Sequence, residues 1–409
     1  MPSQLPCPAY GNFERSPLHT TSEAGDQLLD ESPVLKSALC KLRRLKSLEL
    51  CYPNAGLLAL LPHLRSSPRH ISVVQSYDDP SGGVQPLPSL APFKSSLKSF
   101  SLSTVHATAP PLVPGEPLSN VRQLNLTNSS MVHIAPFVTT FPNPRRVFMD
   151  SISEYILPLP EEQDLARAAN IQAQEAARWP ALDLLSGDLH SLYIHAVQAP
   201  ARTLCVWDCR TEVRQVEMLG KVLSDARPER LHYHAFPFYD PSRLSRALEA
   251  SPPLSHLSLN LSLFYTNPDN FILPGTVESI VEAASRHPLT SLAVRLRRHD
   301  TFFPKKDNPE QKDDNPNTLF VAALDLAALA RRLVQAVPTL RRIFLTMPTR
   351  GAHAWEVSGE GSTRVPRQLG YRAMLAAARK EGVAVRYMPH WHGSGIRDPL
   401  MGTLRTPVY

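Results

Sequence analysis

A chain of 409 residues with 43% hydrophobic and 20% charged side chains has the composition of a globular protein, which excludes a disordered class. Its net charge of +6 is of the size that keeps any domain in solution, so charge alone argues for no nucleic-acid partner. Five cysteines scattered without a framework, a start lacking a secretory apolar run, and no stretch of roughly 18 apolar residues exclude a disulfide scaffold and a membrane span; cytosol or nucleus is expected.

Residues 1–30 are rich in Pro and Ser without a period, and a disordered or loosely packed arm is expected there. From residue 31 to 388 aliphatic residues recur in units. A short helix over 34–42 feeds a strand at Leu45, Leu48 and Leu50, and 55–64 supplies the next helix. Ile71 and Val73 alternate as a second strand. A Gly/Pro/Ser loop over 77–92 leads to strands at Leu97, Phe100, Leu102 and at Val121, Leu124, Leu126. Leu124 follows Phe100 by 24 positions and Val147 follows Leu124 by 23, inside the range of about 20–29 for a leucine-rich repeat.

The run 161–178 predicts an amphipathic helix, with Glu161, Glu162 and Asp164 in the first turn favouring the helix dipole and Trp179-Pro180 closing it. Strands are then expected over 189–194 (Leu189, Leu192, Ile194), at Leu204 and Val206, and at Leu231 and Tyr233, with a helix over 211–226. Asp240-Pro241 opens another helix. The clearest unit follows: Leu254, Leu257 and Leu259 after Pro252-Pro253, then Leu289, Leu292 and Val294 after Pro288, then Leu340, Ile343 and Leu345 after Pro338. The 40 prolines, about twice the usual ~5%, stand between such runs and act as punctuation. A charged loop insertion is read over 298–317, one long helix over 318–336 capped by Asn317, a loop over 353–366, a helix over 368–381 ended by Gly382, a strand over 383–387 and a tail over 389–409.

These patterns predict an α/β fold: an irregular leucine-rich-repeat solenoid, with parallel strands on the concave side and helices on the convex side. In a strand read Leu-x-x-Leu-x-Leu the leucines point inward and the alternate residues outward. Glu49, Ser99, Ser101, Gln123 and Asn125 are the outward residues of the early strands. The later ones bring Phe148, Asp150, Tyr193, His195, Trp207, His232, His234, His256, Asn260, Arg295, Arg342 and Phe344. Aromatics, His and Arg are the types that dominate interface energies, so a protein partner is expected on the concave face of the later repeats.

His232-Tyr-His234 and His390-Trp-His392 are two His-x-His pairs, and each could offer two metal ligands from one strand face. A metal-dependent hydrolase is therefore an alternative reading, although no His-Glu-x-x-His or Asp-rich motif supplies a third ligand and a base. Cys205 and Cys209 lack the spacing and second pair of a zinc site. Gly359-Glu-Gly361 and Gly393-Ser-Gly395 lack the Gly-Lys-Ser/Thr ending of a phosphate loop. Arg295, Arg297, Arg298, Arg331, Arg332, Arg341 and Arg342 make the C-terminal half basic with few interleaved aromatics, so weak nucleic-acid binding stands only as a third reading. No metal, no cofactor and no catalytic residue is expected.

The strands LKSLEL, LSHLSL and LTSLAV, with RWPALDLLSGDLHSLYIHAVQ before Cys205, resemble the repeat region of the F-box/leucine-rich-repeat proteins of mushroom-forming fungi (basidiomycetes). The resemblance covers most of residues 35–390. It implies a substrate receptor whose repeats select a protein, and whose N-terminal F-box docks on the Skp1 adaptor of a cullin ubiquitin ligase. Leu5-Pro6 is similar to an F-box opening. Pro8, Pro17 and the lack of a following amphipathic run depart from it, so the F-box is not evident.

Overall fold

The computed structural model describes residues 17–19, 37–38, 40–51, 53, 55–74, 85–103, 112–127, 132–150, 159–209, 213–235, 242–249, 251–263, 273–298, 316–347 and 350–383. The arm over 1–30, apart from 17–19, the insertion over 298–317 apart from its two ends, the tail, the His390/His392 pair and Gly393/Gly395 lie outside them. The α/β class is present, and the chain divides into two compact units, Met1–Ala201 and Arg202–Tyr409.

In the first unit the strands β1 (Pro17–His19), β2 (Ser47–Cys51), β3 (His70–Val74), β4 (Ser99–Ser103), β5 (Gln123–Thr127), β6 (Arg146–Asp150) and β7 (Leu182–Asp188) pair in sequential order, each parallel to the next. Two inward ladders form its core: Leu48, Ile71, Phe100, Leu124, Val147 and Leu185 in one, and Leu50, Val73, Leu102, Leu126 and Met149 in the other, all buried. The register is pinned at the start of the strands from β3 on. The Lys46 carbonyl accepts from the amides of both Arg69 and His70, that of Arg69 from Lys98 and Ser99, that of Lys98 from Arg122 and Gln123, and that of Arg122 from Arg145 and Arg146. A one-residue slip would turn every leucine outward, so this double acceptance holds the hydrophobic pattern in place.

Among the described residues the connecting helices before β6 are short: helix α1 (Ala55–Leu60) with a 3-10 turn at Leu61–His63, a 3-10 helix at Pro88–Phe93 overlapping the end of the expected loop, and helix α2 (Ala135–Thr140). Helix α3 (Pro160–Ala176) then departs from an ordinary amphipathic helix. It buries Gln163, Arg167, Asn170 and Gln174 on one face and leaves Leu165 72% exposed.

The reason lies in helix α4 (Leu189–His195), which occupies the residues expected to form a strand. Leu189, Leu192 and Ile194 fit the strand frame. Asp188, however, caps a helix, its carboxylate accepting from the Ser191 amide (2.9 Å) and hydroxyl (2.5 Å), and the helix stops at Ala196 in the left-handed region. The strand itself lies one step earlier, at β7. Gly187 permits the close packing, since a Cβ there would stand 2.3 Å from the Met149 carbonyl and 3.0 Å from the Leu192 side chain. The carbonyls at the end of α4 need donors. Arg167 donates to Tyr193, Asn170 to Ile194, and Gln174 to His195 and Ala196, at 2.8–3.2 Å. Asn170 also accepts from the Ile134 amide at 2.9 Å and donates to the Val132 carbonyl. Trp179, buried, donates from its indole N–H to the Phe141 carbonyl at 2.9 Å.

In the second unit β8 (Ala201–Cys209), β9 (Arg230–Ala235), β10 (His256–Leu263), β11 (Ser291–Arg298) and β12 (Arg342–Met347) are parallel and sequential. Their inward ladders, led by Leu204, Leu231, Leu257, Leu292 and Ile343, sit against helices α5 (Val213–Ala226), α6 (Ser242–Glu249), α7 (Leu273–Ser285), α8 (Pro316–Ala323) and α9 (Leu326–Ala336); α5 packs on α6, α6 on α7, and both α8 and α9 on α7. The single helix expected over 318–336 is two. Asp325 interrupts it by accepting from the amides of Ala327 and Ala328, a cap on α9, while Asn317 lies inside α8 rather than capping it.

The loop expected over 353–366 is instead an antiparallel extension. Strand β13 (Gly351–Ser358) pairs with β12, and β14 (Val365–Gln368) pairs with β13. Helix α10 (Tyr371–Glu381) follows and ends at Gly382 in the left-handed region, with the Val383 amide bonded to Ala378. Of the strand expected over 383–387, only Val383 is described, and it closes this helix.

Candidate functional site

Strand pairing arranges the outward residues of the second unit in rows. One row is Arg230, His256, Ser291, Arg342, Glu356 and Arg367; the next is Cys205, His232, Ser258, Ala293, Phe344 and Ala354; the third is His234, Asn260, Arg295, Thr346 and Ala352. Seven of the twelve residues expected on a binding face therefore lie within three adjacent rows: His232, His234, His256, Asn260, Arg295, Arg342 and Phe344. The side-chain amide of Asn260 stands 3.3 Å from His234 Nδ1, within hydrogen-bond distance. Trp207 is half-buried on β8, at the irregularity between Val206 and Cys209 where pairing with β9 slips.

The other expected residues lie in the first unit, and three are corrected. Tyr193 and His195 are on α4 rather than on a strand, each only 1% exposed, and offer no open surface. The Tyr193 hydroxyl donates to Asp164 and its ring lies 4.7 Å from the Arg167 guanidinium, while His195 Nδ1 stands 2.8 Å from the Ser191 carbonyl. Phe148 is in an outward row, between Asn125 and Ser186, yet it is buried and offers no open surface. Asp150 closes β6, and its side chain lies outside the described residues.

The sequence pattern did not reveal that part of this face is already covered. Helix α10 lies across the strand face turned away from the other helices. Met374 and Ala378 pack against Ala293, Phe344 and Ala354, with Ala352, Leu369, Ala377 and Val383 at the margin. Phe344 is consequently 3% exposed. The carboxylate of Glu381 accepts from Arg342 Nη1 and lies 2.8 Å from His256 Nε2. Since a carboxylate only accepts, His256 carries its proton on Nε2. Burial, and then the Arg230 charge, hold His256 below the ordinary histidine range in spite of Glu381.

Two signals could have located this contact. Met374, Ala377, Ala378 and Glu381 have the i, i+3, i+4, i+7 spacing of one helix face before a Gly stop. The outward positions 293, 352 and 354 all carry alanine, where a solvated strand would carry larger polar residues.

Chemically the site offers imidazoles, guanidinium groups and the Phe344 ring, arranged for contact. Among the described residues no group of three or more His, Cys, Asp or Glu gathers to hold a metal ion, and no helix is long and apolar enough to cross a membrane. No family model matches the chain, and no curated protein matches it.

Proposed function

We propose that the chain is a non-catalytic protein-binding scaffold of leucine-rich-repeat type, which selects a protein on its outward strand face as the substrate receptors of ubiquitin ligases do. One observation carries this reading. In the second unit the face engages a helix through an aromatic ring, a guanidinium and an imidazole, the side-chain types that concentrate binding energy in interfaces. A photo-reactive phenylalanine analogue at Asn260 is expected to cross-link a protein partner in lysate, whereas the same probe at Arg331, exposed on α9, does not. Equal cross-linking from both sites defeats the proposal. Retention on immobilised Skp1 tests the ligase version, and its failure would leave a scaffold outside that machinery.

A second reading, a face for acidic polymers, is favoured by a different observation. The residue just before each strand of the first unit is basic from β2 to β6: Lys46, Arg69, Lys98, Arg122 and Arg145, all exposed and in register until Asp183 ends the series. Neighbouring strands are about 4.8 Å apart, so these five like charges repel in the free protein and are relieved by an anionic chain. Heparin retention falling steeply with salt supports this reading, and flat retention removes it.

A further inference from the structure

We infer that α10 is a built-in stand-in for the partner, and that the strand face of the second unit takes an amphipathic helix bearing Met or Ala at positions i, i+3 and i+4 and a carboxylate at i+7. This rests on the scaffold reading above and names the chemistry of what the scaffold holds.

The pattern is that of α10 itself: Met374, Ala377 and Ala378, then Glu381. Small residues are needed on the sheet, where Ala293 and Ala354 flank Phe344 and leave a shallow seat around the ring that Met374 and Ala378 fill. A helix of larger residues would ride too high for its acid to reach the sheet. The acid is the specific element. Glu381 is 10% exposed on its side chain and meets Arg342 and His256 together, so an occupant without it leaves a half-buried guanidinium unpaired.

The seated helix is also replaceable. It has 11 residues, too few to be stable alone, so its order is borrowed from the face beneath it. Only Leu369 and Gly370 join it to β14, and nothing lies within 4 Å of a Cβ built at Gly370. Arg372, Ala373, Ala376, Arg379 and Lys380 are all exposed, so nothing covers its far side among the described residues. An incoming helix of the same pattern finds the seat already shaped once α10 swings away.

The test uses the full chain and a fluorescein-labelled synthetic peptide spanning Leu369–Val383, with binding read by anisotropy. The native chain is expected to bind it weakly, because the tethered copy competes at an effective concentration on the order of millimolar. The double variant Met374→Asp/Ala378→Asp frees the face, and the peptide is expected to bind about tenfold more tightly or better. Glu381→Gln in the chain keeps the apolar stripe and is expected to gain about tenfold. This milder variant decides the matter if the double variant loses its cooperative unfolding. On the freed face, adding Arg342→Glu abolishes binding of the peptide, and a peptide carrying Glu381→Gln binds about tenfold less tightly than the native peptide.

No gain in either chain variant, or equal binding of the two peptides, overturns the inference. A native dimer that dissolves when Met374 and Ala378 are replaced makes a second copy the occupant and overturns it as well. The cross-link from Asn260 keeps the two proposals apart. Peptide binding without a cross-linked partner defeats the scaffold reading, and a cross-linked partner without any peptide gain defeats the helix assignment.

Discussion

The two units use one strand geometry and opposite chemistry. In the first, strands follow one another after 23 to 38 residues (Leu48, Ile71, Phe100, Leu124, Val147, Leu185), and the outward row beneath its basic series is mostly small and polar: Glu49, Ser72, Ser101, Asn125. In the second, the interval reaches 51 residues between Leu292 and Ile343, the segments between strands include full helices, and the outward rows carry imidazoles, guanidinia and a ring under α10. The inward ladders are nearly interchangeable. The difference shows that the aliphatic pattern sets where the strands run, while the residues between the aliphatics are free to become a charged edge in one unit and a helix seat in the other.

That contrast can be broken most severely in the first unit. Tyr193→Ala is expected to destabilise it by about 3–5 kcal/mol in urea unfolding, since a buried aromatic is removed from a packed site. A surface residue would cost almost nothing. Asn170→Leu should cost about 3 kcal/mol, because the Ile134 amide and the Val132 and Ile194 carbonyls all lose their partner while buried or nearly so. Neither change should alter hydrogen exchange in α10. In the second unit Glu381→Gln is expected to cost about 1–2 kcal/mol, read as faster exchange confined to α10 amides. Exchange rising equally in β10 and β11 would mean that α10 is part of the core rather than a guest on it.

Acidification acts on both units alike. His70, His256 and His287 all sit below the ordinary histidine range, burial being the first cause in each. A lowered folded-state value means that the unfolded chain takes up the proton first. Stability is therefore full above about pH 6.5 and declines as pH falls from there toward the folded-state values. Thermal unfolding between pH 7.5 and 5.5 checks the sign, and a melting temperature rising toward acid would contradict it. The smallest effect is expected from Lys98→Glu/Arg122→Glu, which should leave the melting temperature within about one degree and shorten heparin retention.

Most of the strands were legible because a buried parallel ladder demands aliphatics at alternate positions, and Leu48, Leu124, Leu257 and Ile343 meet that demand in sequence. Local capping chemistry decided the exceptions. Asp188 turned an apparent Leu-x-x-Leu-x-Leu strand into a helix, and Asp325 split one helix into two, each by offering a carboxylate to nearby amides. The candidate face was legible as a set of residue types on alternate positions. Its covering was not, because the contact between Glu381 and His256 joins residues 125 positions apart and depends on where a helix lands. The donors on α3 were obscured for a similar reason: Gln, Arg and Asn read as a solvated face until α4 is seen to present bare carbonyls to them.

The doubled acceptance at the start of β3–β7 and β10–β12 lets the chain tolerate change between its strands. One carbonyl meets two successive amides of the following strand at Lys46, Arg69, Lys98 and Arg122, and again at Glu229, Ser255 and Thr290. Whatever number of residues intervenes, the next coil is seated by the same two contacts. Segments can thus be lengthened or trimmed on the helical side while the lattice of outward side chains keeps its pitch, and new surfaces can be written onto that lattice one coil at a time.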